Sequence, residues 1–105
     1  MSNEQPERTR TFSWQDPMIG AKAAQTMSGL AYLQAMGRGE LPIPPIMAMM
    51  NIDGIEAEAG KVTFSITPAE YHYNPIGVVH GGLAATLCDS AMACAIHSTL
   101  PVGDG

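Results

Sequence analysis

The chemically versatile side chains of this chain concentrate in one short segment, residues 74–89. A carboxamide, an imidazole, two adjacent glycines and a carboxylate occur there in the order Asn74, His80, Gly81, Gly82 and Asp89. Hydrogen-bond donors grouped in this way could stabilise a carbonyl oxygen that gains negative charge during a reaction. The segment is therefore the first candidate for a functional site.

A turn followed by a helix must position these residues. Asn74-Pro75 and Gly77 are typical of a turn, and apolar residues at four-residue steps predict a helix over residues 82–98. The first N–H groups of a helix have no intrahelical partner and lie at its positive dipole end. Glycines at that point let a ligand come close to the backbone. The pattern favours the Gly81 N–H as an oxyanion donor, with Gly82 and Gly77 as substrate-binding positions.

The motif Asn-Pro-x-Gly-x-x-His-Gly-Gly, with an aspartate nine residues after the histidine, resembles the PaaI-type acyl-CoA thioesterases of the hot-dog fold. Segments 39–45, 60–64 and 98–101 are also similar to that family, so the resemblance covers roughly residues 39–105. It implies an α+β domain in which an antiparallel sheet wraps around a long central helix. The implied reaction is hydrolysis of an acyl-CoA or aryl-CoA thioester, with no cofactor and no metal.

The resemblance also implies roles for the residues of the motif. Asp89 would be the catalytic carboxylate that activates water or attacks the carbonyl, and partial burial would make it a stronger base. Helix periodicity alone favours a solvated surface charge at Asp89. His80 is either a capping residue or an organiser of the thioester site. Asn74 is either a turn residue or the amide that holds the water or the carbonyl oxygen.

In enzymes of this family the site forms between two subunits. A homodimer or homotetramer is therefore expected, in which Asp89 acts on a substrate held by His80 and Gly81 of the other chain. Two alternatives remain open: a non-catalytic module that binds acyl-CoA, and an inactive fragment of a thioesterase.

Composition and spacing exclude several other functions. The net charge of −5 and only five Lys and Arg residues argue against nucleic acid as a partner. The histidines and cysteines lack metal-binding spacing. A nucleophilic Cys88–His80 pair is conceivable, but an apolar helix would blunt the thiol. Cys88 and Cys94 lie about 9 Å apart along one predicted helix, too far for a disulfide. With no apolar leader and no membrane-length apolar run, the sequence favours the cytoplasm.

The remaining elements are predicted from periodicity. Residues 1–38 are predicted to contain a polar N-terminus and an amphipathic helix from residue 18 to 36. Asp16-Pro17 is the expected start of this helix. Residues 37–45 read as a loop, and residues 46–57 as extended chain. A hairpin turn lies either at Asp53-Gly54 or, as we prefer, at residues 58–60 before a strand over 61–66. Since residues 39–105 supply two of the five or six strands of a hot-dog sheet, we expect a truncated domain that needs further strands.

Overall fold

The computed structural model describes residues 6–103, which contain four α-helices and one two-stranded antiparallel sheet. In chain order the elements are α1 (Pro17–Ala24), α2 (Gly29–Gly37), α3 (Pro45–Met50), β1 (Ile52–Glu58), β2 (Lys61–Ile66), a 3₁₀ turn (Glu70–His72) and α4 (Gly81–His97). The predicted α+β class is confirmed, and so is the long helix that follows the motif. Residues 1–5 and 104–105, which belong to the two predicted segments, lie outside the described residues.

The single helix predicted over residues 18–36 is wrong, because the structure divides it into α1 and α2. The start is as predicted: Asp16 caps α1 by accepting a backbone N–H at 2.9 Å, and Pro17 is the first helical residue. A second start follows at Ser28, whose hydroxyl accepts from the Ala31 N–H at 3.2 Å and caps α2.

Gly29, the first residue of α2, docks this helix against the end of α4. Its N–H donates to the Leu100 carbonyl at 3.0 Å, and a Cβ at this position would lie 1.7 Å from the carbonyl oxygen of His97. Only glycine allows such a close backbone approach. The break between α1 and α2 is therefore a tertiary effect, which the continuing apolar period does not reveal.

The extended chain predicted for residues 46–57 is wrong in its first half. α3 begins with Pro45 in the first turn and ends at Asn51, which adopts the left-handed conformation with φ 57°. Proline near a helix start and asparagine in the left-handed conformation at a helix end are both ordinary helix boundaries. The strand begins only at Ile52.

The preferred hairpin turn, at residues 58–60, is confirmed. β1 and β2 pair antiparallel along their whole length, with a bulge at Asp53 where two residues of β1 oppose one of β2. The predicted alternation in β2 is also confirmed, since its half-buried positions are Val62, Phe64 and Ile66.

One core joins elements from both sides of the predicted boundary between residues 1–38 and 39–105. α2 packs against β1, and α4 packs against β2. The buried apolar residues come from α2, α3, β1 and α4: Leu33, Ala35, Met36, Met47, Ile52 and Leu83. The helix α2 thus belongs to the same folded unit as the hairpin.

Within residues 6–103, α4 is covered on one side only. Its exposed positions recur every three or four residues and form what we call the outward face of α4: Gly81, Ala84, Ala85, Cys88, Asp89, Met92, Ala93 and Ile96. Met92 and Ile96 are 65% and 66% exposed. Two strands do not make the wrapped sheet of a hot-dog fold, so that architecture stays a proposal.

Candidate functional site

Asn74 builds the turn that precedes α4. Its Oδ1 accepts from the N–H groups of Ile76 at 3.0 Å and Val78 at 3.1 Å, and its carbonyl accepts from the Gly77 N–H at 3.1 Å. Gly77 has φ 82°, which suits glycine at the end of such a turn. Asn74 therefore acts as a turn residue, and its Nδ2 group is the part left to meet a ligand.

His80 caps α4, as one of its two interpretations predicted. Its Nδ1 accepts from the Gly82 N–H at 2.7 Å, and its carbonyl accepts from the Leu83 N–H at 3.0 Å. A ring nitrogen that accepts from an N–H is unprotonated, so the neutral ring carries its proton on Nε2. A Cβ on Gly82 would lie 2.9 Å from Nδ1. Glycine at position 82 thus leaves room for the cap.

The N–H of Gly81 is the open donor at this helix start. Among residues 6–103 no group accepts from it, whereas His80 engages the next two N–H groups. Apart from its chain neighbours and the backbone of α4 itself, no atom of residues 6–103 lies within 4 Å of the place that a Cβ on Gly81 would occupy. The dipole of the 17-residue helix adds positive potential at this point. The N–H can therefore bind an oxygen of a ligand.

A cavity of about 410 Å³ opens beside the helix start. Aromatic and apolar side chains form most of its wall, and the lining residues are Met50, Tyr71, His72, Tyr73, His80, Gly82 and Leu83. Its volume is typical of small-molecule sites, which measure roughly 300–1,000 Å³. Asn74 and Gly77, which lie in the preceding turn, do not line it, and neither does Gly81.

The sequence interpretation missed the cavity residues that precede the motif. Tyr71, His72 and Tyr73 stand directly before Asn74, and this run of three ring side chains was the available signal. Tyr71 is held in place because its hydroxyl accepts from Asn51 Nδ2 at 2.8 Å, and its ring contacts that of His72 with centroids 4.6 Å apart.

Asp89 does not reach this helix start within one chain. It is exposed on the outward face of α4, eight residues after Gly81, which corresponds to about 12 Å along the helix axis. The structure thus places His80 and Gly82 in the cavity wall, with the exposed Gly81 between them in the chain, and leaves Asp89 apart. The partial burial that the resemblance implies is absent in the single chain.

Cys88 and Cys94 are both free thiols on α4. Cys88 is exposed on the outward face, seven residues after Gly81 and so about 10 Å along the axis. It therefore does not form a nucleophilic pair with His80 of the same chain. Cys94 is half-buried, and burial raises the pKa of its thiol, which lowers its reactivity.

Residues 6–103 contain no cluster of three or more His, Cys, Asp or Glu side chains that could hold a metal ion. No helix in the same range has the length and apolar character needed to cross a bilayer.

Comparison with known proteins identifies no relative: no family model, no curated protein and no solved structure matches this chain. The functional interpretation therefore rests on the residues of the motif and on the geometry of the α4 start.

Proposed function

We propose that the protein hydrolyses acyl-CoA or aryl-CoA thioesters to a free acid and CoA. The observation that carries this proposal is the Gly81 N–H, an unengaged donor at the start of a long helix, between His80 and Gly82, which line a largely apolar cavity. Thioester hydrolysis needs both features, a donor for the carbonyl oxygen and space for the acyl group. The resemblance of residues 74–89 to PaaI-type thioesterases supports the same reaction.

In the proposed reaction the acyl group occupies the cavity, and the carbonyl oxygen accepts a hydrogen bond from the Gly81 N–H. Water attacks the carbonyl carbon while Asp89 takes one of its protons, and the Gly81 N–H stabilises the oxyanion that forms. The C–S bond then breaks, and the leaving thiolate recovers the proton as CoA thiol. The Nδ2 group of Asn74 and the ring of His80 position the water and the carbonyl.

The carboxylate in this scheme comes from a second copy of the chain, since Asp89 lies about 12 Å along α4 from the Gly81 of its own chain. The outward face of α4 supports such a homodimer or homotetramer. Apart from Asp89 its side chains are apolar or small, so covering it would remove apolar surface from water. The same cover would partly desolvate Asp89 and make it a stronger base. A hot-dog sheet around α4, which the resemblance implies, would need strands in addition to β1 and β2.

A non-catalytic module that binds acyl-CoA is the second candidate, and the position of Asp89 favours it. The open donor and the cavity lie together in one chain, whereas the exposed carboxylate does not. A protein that never brings Asp89 to a partner's helix start would bind thioesters without cleaving them.

Thiol release from a panel of acyl- and aryl-CoA esters tests the proposal, with the wild-type protein beside Asp89→Asn. Because loss of a general base lowers rates by about 10²-fold or more, we expect turnover by the wild type and a loss of that size in the variant. Asp53→Asn is the matched control, since Asp53 is an exposed carboxylate on β1 and the same charge is removed. Its rate should equal that of the wild type.

Two companion measurements separate the alternatives. A cooperative melt by circular dichroism shows that each protein is folded. A folded wild type that binds CoA esters without releasing thiol would be the binding module. A chain that shows no cooperative melt would be the inactive fragment.

A further inference from the structure

His72 is a buried titratable residue that the proposed reaction does not use. It is 7% exposed and lies between the cavity and the core. Its Nδ1 lies 2.9 Å from the Ala69 N–H, and its Nε2 lies 2.8 Å from the Met50 carbonyl oxygen. An N–H can only donate and a carbonyl can only accept, so Nδ1 is unprotonated and Nε2 carries the proton. The two contacts fix one neutral tautomer.

The backbone of His72 extends this connection to the start of α4. Its carbonyl oxygen accepts from the His80 N–H at 2.8 Å, and the ring of His80 in turn caps α4 through Gly82. One residue thus links the end of α3, the 3₁₀ turn and the residue before Gly81. We call these three hydrogen bonds of His72 the His72 clasp.

We propose that His72 is a positioning residue: the His72 clasp holds the His80 backbone and thereby fixes the position of the open Gly81 N–H at the start of α4. The clasp itself is independent of the proposed thioesterase function, and only its effect on turnover depends on that function. His72 touches no reacting atom in this scheme, since it acts through His80.

Substitutions can remove the two ring contacts separately. Glutamine places an amide N–H near the position of Nε2, so His72→Gln keeps the donor to the Met50 carbonyl. Asparagine places an oxygen near the position of Nδ1, so His72→Asn keeps the acceptor for the Ala69 N–H. His72→Leu removes both ring hydrogen bonds and replaces the imidazole with an apolar side chain of comparable size.

Solvent exchange of backbone amides, measured by NMR, is the first test and needs no substrate. We expect His72→Leu to speed exchange at His80 and Gly82 by about tenfold or more, the scale of one lost hydrogen bond. Exchange in β1 and β2 should stay unchanged, and the Gln and Asn variants should fall between Leu and the wild type. Unchanged exchange at His80 in all three variants would overturn the proposal. The proposal would also be overturned if NMR of the wild-type protein at neutral pH showed the His72 ring protonated on Nδ1. This measurement needs no variant.

Turnover provides the second readout. If the wild type releases thiol, the His72 variants should lower kcat by about tenfold or more with little change in KM, because the displaced Gly81 donor acts mainly in the transition state. Unchanged kcat in a variant with faster exchange at His80 would refute the positioning role and leave a purely structural one. If the wild type shows no turnover, the thioesterase proposal fails, and amide exchange still decides whether the clasp exists.

Discussion

Replacement of His80 separates its role as a helix cap from any role of its imidazole. The Nδ1 of His80 accepts from the Gly82 N–H at 2.7 Å, and it is the side-chain cap of the longest helix in residues 6–103. Removing such a cap costs about 1 kcal/mol. For a domain of this size that loss lowers the Tm by about 4–8 °C. We therefore expect His80→Ala to melt lower than the wild type by this amount.

His80→Asn is the matched variant, because asparagine is among the best capping residues and restores the hydrogen bond without the ring. Its Tm at pH 7.5 should stay close to that of the wild type.

The assay is thermal unfolding by circular dichroism at pH 7.5, together with thiol release for each folded variant. A His80→Ala protein as stable as the wild type at pH 7.5 would refute the capping role. So would a His80→Asn protein as unstable as His80→Ala. If the imidazole also organises the thioester, His80→Asn should lose turnover while it keeps its stability.

Two further predictions concern packing and thiol reactivity. Gly29→Ala should destabilise the fold by about 1–3 kcal/mol or more in urea unfolding, because the added Cβ would lie 1.7 Å from the His97 carbonyl oxygen. Gly20→Ala is the control and should be neutral or slightly stabilising, because its Cβ would meet no atom closer than 3.4 Å. Equal losses of stability in both variants would contradict the docking of α2 on α4. In the monomeric chain at pH 8 iodoacetamide should modify the exposed Cys88 before Cys94, because burial raises the pKa of the Cys94 thiol and so lowers its thiolate fraction. Peptide mapping by mass spectrometry measures both rates. In the proposed homo-oligomer the outward face of α4 is covered, so modification of Cys88 should slow as the chain assembles, and a Cys88 rate that does not change on assembly would contradict that cover.

Local patterns were sufficient to predict the elements whose signals lie within a few residues. The alternation of Val62, Phe64 and Ile66 and the turn at residues 58–60 located the hairpin. The small apolar residues after Gly82 located α4 to within one residue at each end. The Asp16-Pro17 pair located the start of α1.

The errors arose where tertiary contacts override periodicity. Apolar positions continue through residues 23–33, but the close approach of Gly29 to the end of α4 sets a new helix start at Ser28. α3 spans only six residues, fewer than two turns, so its period could not be distinguished from that of a strand. Boundary residues were the better signal there, namely Pro45 at the start and Asn51 at the end.

The candidate site was predictable only in part for the same reason. The motif identified His80 and Gly81, and the unpaired N–H groups of a helix start explained why the Gly81 N–H could act as a donor. The cavity wall also includes Met50, which precedes the motif by more than 20 residues and is joined to it through the ring of His72. No local pattern indicates such a contact. The separation between Gly81 and Asp89 follows from helix geometry, whereas the expectation of a second chain came from the family resemblance and stays a prediction.

The proposed role of the Gly81 N–H as an oxyanion donor can be tested by a variant that removes this N–H and leaves the helix in place. Proline suits the first position of a helix, where it removes only an N–H without an intrahelical partner, and His80 has the extended conformation that favours a following proline, with φ −66° and ψ 135°. Gly81→Ala keeps the N–H and is the matched control. We predict that Gly81→Pro melts like Gly81→Ala but releases thiol about 10²–10³-fold more slowly, the loss expected for one oxyanion donor. Equal rates of thiol release in the two folded variants would contradict the account.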